Sequence, residues 1–168
     1  MEPELGEFDL IRRFFLTPAA DRHDSRVILG IGDDAALLDL PEGTDLVASV
    51  DTIVSGRHFL QGADARAIGH RALAVNLSDM AAMGATPAWA TLALTMPDAD
   101  SSWLDKFAAG FLALAEAHGV VLVGGDTTRG ALTITVQILG HVPRGAALRR
   151  SGARAGDLLA VKIGRAHV

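Results

Sequence analysis

A chain of 168 residues of which 49% are hydrophobic is long enough to bury one real core. Its formal net charge of -5, with no visible basic stripe, excludes a polyanion-binding surface and sets nucleic acid aside as a partner. With no cysteine there is neither a disulfide framework nor a thiolate metal site, so any metal must be held by oxygen or imidazole, which favours hard cations.

The start, MEPELGEFDL, lacks a basic segment followed by an apolar one, and no apolar run approaches the roughly 18 residues of a membrane span. A soluble cytoplasmic protein without a membrane partner is expected. In GEFDLIRRFFLTP, Phe8, Ile11 and Phe15 fall at helical spacing and Pro18 closes the segment, which predicts a short amphipathic helix. RVILG and LVASV read as short buried strands, with PEG at 41–43 as the turn after AALLDL. Asp33 and Asp34 therefore fall between strands.

Residues 64–84 are rich in alanine and good helix formers, and predict one long helix with Asp64 as N-cap and Gly84 as stop. An interruption near Asn76 is the alternative. AWATLALTM reads as a strand stopped by Pro97. SWLD at 102–105 has the spacing of a capping box, and Trp103, Phe107 and Phe111 follow as an aromatic stripe on a second helix ending near Gly119. VVLVGG is a further apolar strand. LTITVQI alternates strictly, which places Leu132, Ile134, Val136 and Ile138 on one buried face. PRGAALRRSGARAGD at 143–157 reads as a mobile basic loop.

Four aspartates lie in or at the end of apolar elements among small residues: Asp34 in GIGDDAALL, Asp51 in ASVDTIVSG, Asp79 in NLSDMAAMGA and Asp126 in VGGDTTRG. Carboxylates in such surroundings are usually paired or metal-bound. The pattern asks for a cation, and Mg²⁺ fits best because it takes oxygen ligands, keeps waters and bridges carboxylates to nucleotide phosphates. Each aspartate also has a plainer reading. Asp33 and Asp34 suit a turn after Gly32, Asp51 can cap a turn through Thr52, and Asp79 can face solvent. GGDTT offers donors, hydroxyls and a carboxylate after a strand, as a phosphate-binding loop would, but it lacks the lysine of a P-loop. His58 in SGRHF follows the Asp51 segment and is placed to meet substrate, or is structural. Arg149 and Arg150 are placed to meet phosphate, or form part of a solvated loop. No Ser/His/Asp arrangement stands out, so nucleophilic catalysis has no positive support.

Taken in order, GEFDLI, GIGDDAALL, VDTIVSGRHF, RALAVNLSDMAAMGATPAW, TLAL, VGGDTTRG and RRSGARAGD resemble the thiamine-monophosphate kinase family, within the superfamily named for aminoimidazole-ribonucleotide synthetase. The resemblance covers about residues 6–160. It implies an α+β fold, a mixed β-sheet backed by helices, in a homodimer whose strands join a barrel across the two-fold axis. It implies ATP-dependent phosphorylation of thiamine monophosphate to thiamine diphosphate with several Mg²⁺ ions. Carried over by position, Asp34, Ser49, Asp51, Asp79 and Asp126 look like metal ligands, His58 like a contact to the thiamine phosphate, and Gly125, Asp126 and Arg150 like ATP contacts. Where many relatives have Ser-Thr-Asp, this chain reads Ser49-Val50-Asp51, so a side-chain metal contact at position 50 is expected to be lost or replaced by backbone or water.

The resemblance implies residues 1–161 as an N-terminal ATP/Mg-binding and dimerisation domain, and breaks off after GDLLAV. Residues 162–168, KIGRAHV, read like a translated sequencing adapter, so a truncated gene without the family's second domain, inactive by itself, is expected. Two alternatives stand beside the kinase: another ATP-using enzyme of the superfamily, and a non-catalytic nucleotide-binding or dimerisation module.

Overall fold

The computed structural model describes residues 12–16 and 24–158. A helical turn at Arg12–Leu16 is what these include of the first predicted helix, whose other residues lie outside the described ones. The elements that follow are β1 (Val27–Leu29), β2 (Leu37–Leu38), β3 (Thr44–Val54), α1 (Ala65–Ala82), β4 (Thr86–Met96), α2 (Ser101–Ala117), β5 (Val121–Arg129) and β6 (Thr133–Pro143). The last four long strands form one mixed sheet in the order β3-β6-β4-β5, antiparallel except for the parallel β4/β5 pair that α2 connects. β1 and β2 pair only with each other, in a separate small hairpin. The fold is α+β, a mixed sheet backed by helices, as expected. Among the described residues no helix is long and apolar enough to cross a membrane.

The alternation of β6 decides which face is covered. Ile134, Val136 and Ile138 join Leu92 and Leu94 of β4 in the main core with Leu73 and Met80 of α1 and Phe107 and Phe111 of α2. The other sheet face carries a smaller cluster around the buried Trp89 and Val123, covered by Val27, Ala36, Leu38 and Leu40 of the hairpin. α1 and α2 cross backbone to backbone at glycines. A Cβ on Gly69 would lie 2.1 Å from the Phe107 carbonyl oxygen, and one on Gly110 would lie 2.0 Å from that of Arg66.

α1 is the one long helix expected and runs unbroken through Asn76, whose Nδ2 donates to the Ala72 carbonyl one turn back. Its ends fall as read: Asp64 Oδ2 accepts from the Ala67 amide, and Gly84 follows the last turn at φ +67°. α2 begins before the SWLD box. Asp100 is its N-cap, accepting from the Ser102 and Trp103 amides, because a carboxylate two residues upstream competes successfully with the serine. GGDTT is not a loop after a strand but part of β5, since its backbone pairs with Thr91–Thr95 of β4. Basic segment 143–157 is partly anchored: the Leu148 amide donates to the Met83 carbonyl at the end of α1, and Leu148 packs against Gly84.

Candidate functional site

The Gly30–Ala36 connection of the hairpin and the middle of β5 form opposite walls of a cleft of about 560 Å³. Asp33 and Asp34 come from the first wall, and Gly125, Asp126 and Thr127 from the second. Phe15, Leu92 and Leu122 supply an apolar floor. Such a mixture, apolar surface with a few polar groups, is what small-molecule sites offer.

Local chemistry explains both walls. Gly32 takes φ +121°, which turns the chain, and the Asp34 amide donates to Asp33 Oδ1 at 2.8 Å. Asp33 thus orients the turn and leaves the exposed Asp34 carboxylate directed by it. Asp34 was expected at a strand end; it sits instead five residues beyond Leu29, on a bend, because β1 is only three residues long. Gly125 is required where it stands. Its φ is +156°, and a Cβ there would lie 1.9 Å from the Leu92 carbonyl oxygen.

The remaining predicted ligands gather elsewhere. Ser49 Oγ donates to Asp79 Oδ2 at 2.6 Å, which ties β3 to α1. Asp51 lies two residues along β3 and shares the face of Ser49. Its register partners run Asp51–Val136–Leu92–Gly125 across the sheet, so Asp51 and Gly125 stand level with each other on opposite edge strands. Three strand spacings separate those edges by roughly 14 Å. The four aspartates therefore form two groups, Asp34 with Asp126 and Asp51 with Asp79. Among the described residues no three acidic or histidine side chains come together as a metal cluster. Val50 points to the opposite side of β3 from Ser49 and Asp51 and is 59% exposed. A hydroxyl at position 50 would not reach this group, so its absence costs the group no side-chain contact.

His58 is exposed just beyond β3, with Nδ1 accepting the Val54 amide at 3.0 Å. An accepting nitrogen carries no proton, so the neutral ring presents Nε2–H as an outward donor. Arg150 stands in a short turn at Arg150–Gly152, is exposed, and does not line the cleft. Arg12, Phe15 and Ile31 do line it and were not singled out from the sequence. Only the apolar spacing of the first predicted helix marked Phe15, and it indicated core.

The family model of the AIR synthase related protein, N-terminal domain, matches residues 32–142. The chain belongs to this family. The match contains both groups of aspartates, from the hairpin turn to the end of β6. A curated relative, the thiamine-monophosphate kinase of Escherichia coli (strain K12), is 53% identical over 156 residues, which are 93% of this chain and 47% of the relative. A solved thiamine-monophosphate kinase from Stenotrophomonas maltophilia superposes with a TM-score of 0.75 at 51% identity, covering 87% of this chain and 45% of that one. AaThiL complexed with AMPPCP and TMP superposes with a TM-score of 0.64 at 32% identity, covering 89% of this chain and 46% of that one. The chain spans about half the length of the curated relatives it matches.

Proposed function

We propose that this chain carries the ATP- and metal-binding part of a thiamine-monophosphate kinase, acting as a homodimer to transfer the γ-phosphoryl group of ATP to thiamine monophosphate. The observation that carries it is the convergence of the Asp33–Asp34 turn and the Gly125–Asp126 strand on one cleft, in a chain 53% identical to a curated kinase of that name.

The donor set suits Mg²⁺. All the ligands proposed, Asp34, Ser49, Asp51, Asp79 and Asp126, offer oxygen, and each group holds two of the proposed carboxylates. Mg²⁺ binds in this way, through one or two carboxylates with water and substrate phosphates completing the octahedron. When bound, it supplies positive charge against the repulsion of two polyanions. The Ser49 hydroxyl holds Asp79 in one rotamer, ready to ligate. Gly125 lets β5 lie close against Leu92 of β4, where a side chain would collide, and so fixes the strand that carries Asp126 at the cleft. His58 presents Nε2–H to the phosphate of the acceptor. Arg150 as an ATP contact draws its support from the sequence pattern alone.

No general base is needed, because the acceptor is a phosphate that is already ionised. The protein aligns donor and acceptor and stabilises the moving charge, which favours direct in-line transfer with no phosphoenzyme. Calorimetry with a non-hydrolysable ATP analogue tests the site. Binding is expected only with Mg²⁺, and Asp79→Asn should weaken it at least about tenfold, the loss of one charged metal ligand. No binding by the native chain, or equal binding by the variant, overturns the assignment. Binding with no thiamine diphosphate formed from ATP and thiamine monophosphate marks the alternative, a nucleotide-binding module.

A further inference from the structure

The hairpin that carries Asp33 and Asp34 shares no backbone ladder with the sheet that carries Asp126. Its own strands are three and two residues long, which is marginal by itself. Side chains must therefore set how far the two walls of the cleft stand apart. The apolar part is the seat of Val27, Ala36, Leu38 and Leu40 on Trp89 and Val123. Apolar contact is non-directional, however, and allows sliding.

The directional part centres on Arg26, the turn residue just before β1. Its Nε and Nη2 donate to Asp24 Oδ1 and Oδ2 at 2.9 and 2.8 Å, a two-pronged pair. Its Nη1 lies 3.2 Å from Nε2 of His141 on β6. A guanidinium has only donors, so His141 accepts through Nε2. The guanidinium carbon stands 5.2 Å from the centre of the Trp89 ring on β4. Meanwhile the Arg26 carbonyl accepts the Asp39 amide just past β2, which joins both hairpin strands to the same residue. One side chain thus fastens the hairpin to two central strands of the sheet.

We propose that Arg26 is a positioning residue for the Asp33–Asp34 turn: clamped by Asp24, His141 and the Trp89 ring, it sets the separation of that turn from Asp126 across the cleft. Arg26 touches no ligand itself. A lysine keeps the charge beside Asp24 but loses the planar fork, so it cannot hold Asp24, His141 and the ring together.

Hydrogen exchange of the full chain with Arg26→Gln and Arg26→Lys tests this. Amides of residues 30–36 should exchange at least about tenfold faster in Arg26→Gln, with Arg26→Lys intermediate, while α2 amides stay within about twofold of native. Unchanged exchange at 30–36 overturns the proposal. So does a rise spread equally over α2, which would show a merely global loss of stability. Affinity for a non-hydrolysable ATP analogue with Mg²⁺ should fall in the same order, an arm that rests on the kinase proposal. If the native chain binds no analogue, that proposal fails while the exchange result still decides the role of Arg26.

Discussion

The Arg26 guanidinium holds the Asp24 carboxyl below its ordinary 3.8, chiefly through the side-chain hydrogen bonds, with partial burial opposing. Asp24 in turn raises Arg26. A depressed carboxylate contributes stability in full above its unfolded value and loses it as pH falls through the folded one. Asp24→Asn should therefore cost about 1 kcal/mol at pH 7, a modest figure because the Arg26 side chain is 34% exposed and solvent screens the pair. Urea unfolding of both proteins from pH 7 to pH 2 checks this: the two curves should converge on the acid side. A gap that stays constant with pH would mean that the charge of Asp24 plays no part. At this scale the sequence was informative where chemistry is local. Asp33 as the turn-former followed from its place after Gly32, and the turn has the hydrogen bond expected of it. Arg26 carried no such signal, because His141 and Trp89 lie 115 and 63 positions away in the chain and only the folded sheet brings them to it.

Elements follow from patterns within a few residues, and most were legible for that reason. The caps of α1, the period-two burial of β6 and the stop of β4 at Pro97 depend on neighbours along the chain. The errors arose where tertiary contact adds to local preference. GGDTT continues β5 because β4 offers it a hydrogen-bonding partner, whereas α1 is the one long helix expected, and passes through Asn76 because the asparagine satisfies part of its own hydrogen bonding inside the helix. The glycines at the helix crossing show the same competition in numbers. On helix propensity alone Gly110→Ala would stabilise α2 by about 1 kcal/mol. The added Cβ would instead meet the Arg66 carbonyl oxygen at 2.0 Å, which forces the helices apart. Overpacking of this kind costs about 1–3 kcal/mol, so a net loss of up to about 2 kcal/mol is expected in denaturant unfolding. A stabilised Gly110→Ala protein would show that the crossing yields without strain.

For the whole molecule, strand order matters most. The order β3-β6-β4-β5 leaves β3 as an edge, with Leu46, Ala48 and Val50 exposed on the face away from the helices. Apolar side chains in a row on an edge strand mark a surface that a second copy can cover, which supports the proposed homodimer. Sedimentation should find the native chain dimeric, and Leu46→Lys should weaken association at least about tenfold by burying a charge in that contact. A native monomer at micromolar concentration would remove the dimer from the proposal.

By itself the sequence determined the local chemistry: an α+β pattern of elements, the exclusion of a thiolate metal site in a chain without cysteine, and aspartates set among small residues at GIGDD and GGDTT. These depend on residue type and on neighbours a few positions away. Only the tertiary structure decided which aspartates share a cleft, that Val50 turns away from Asp51, and that Arg150 stands outside. Strand order and register bring together residues far apart in the chain, and such pairings leave no short-range mark for the sequence to show.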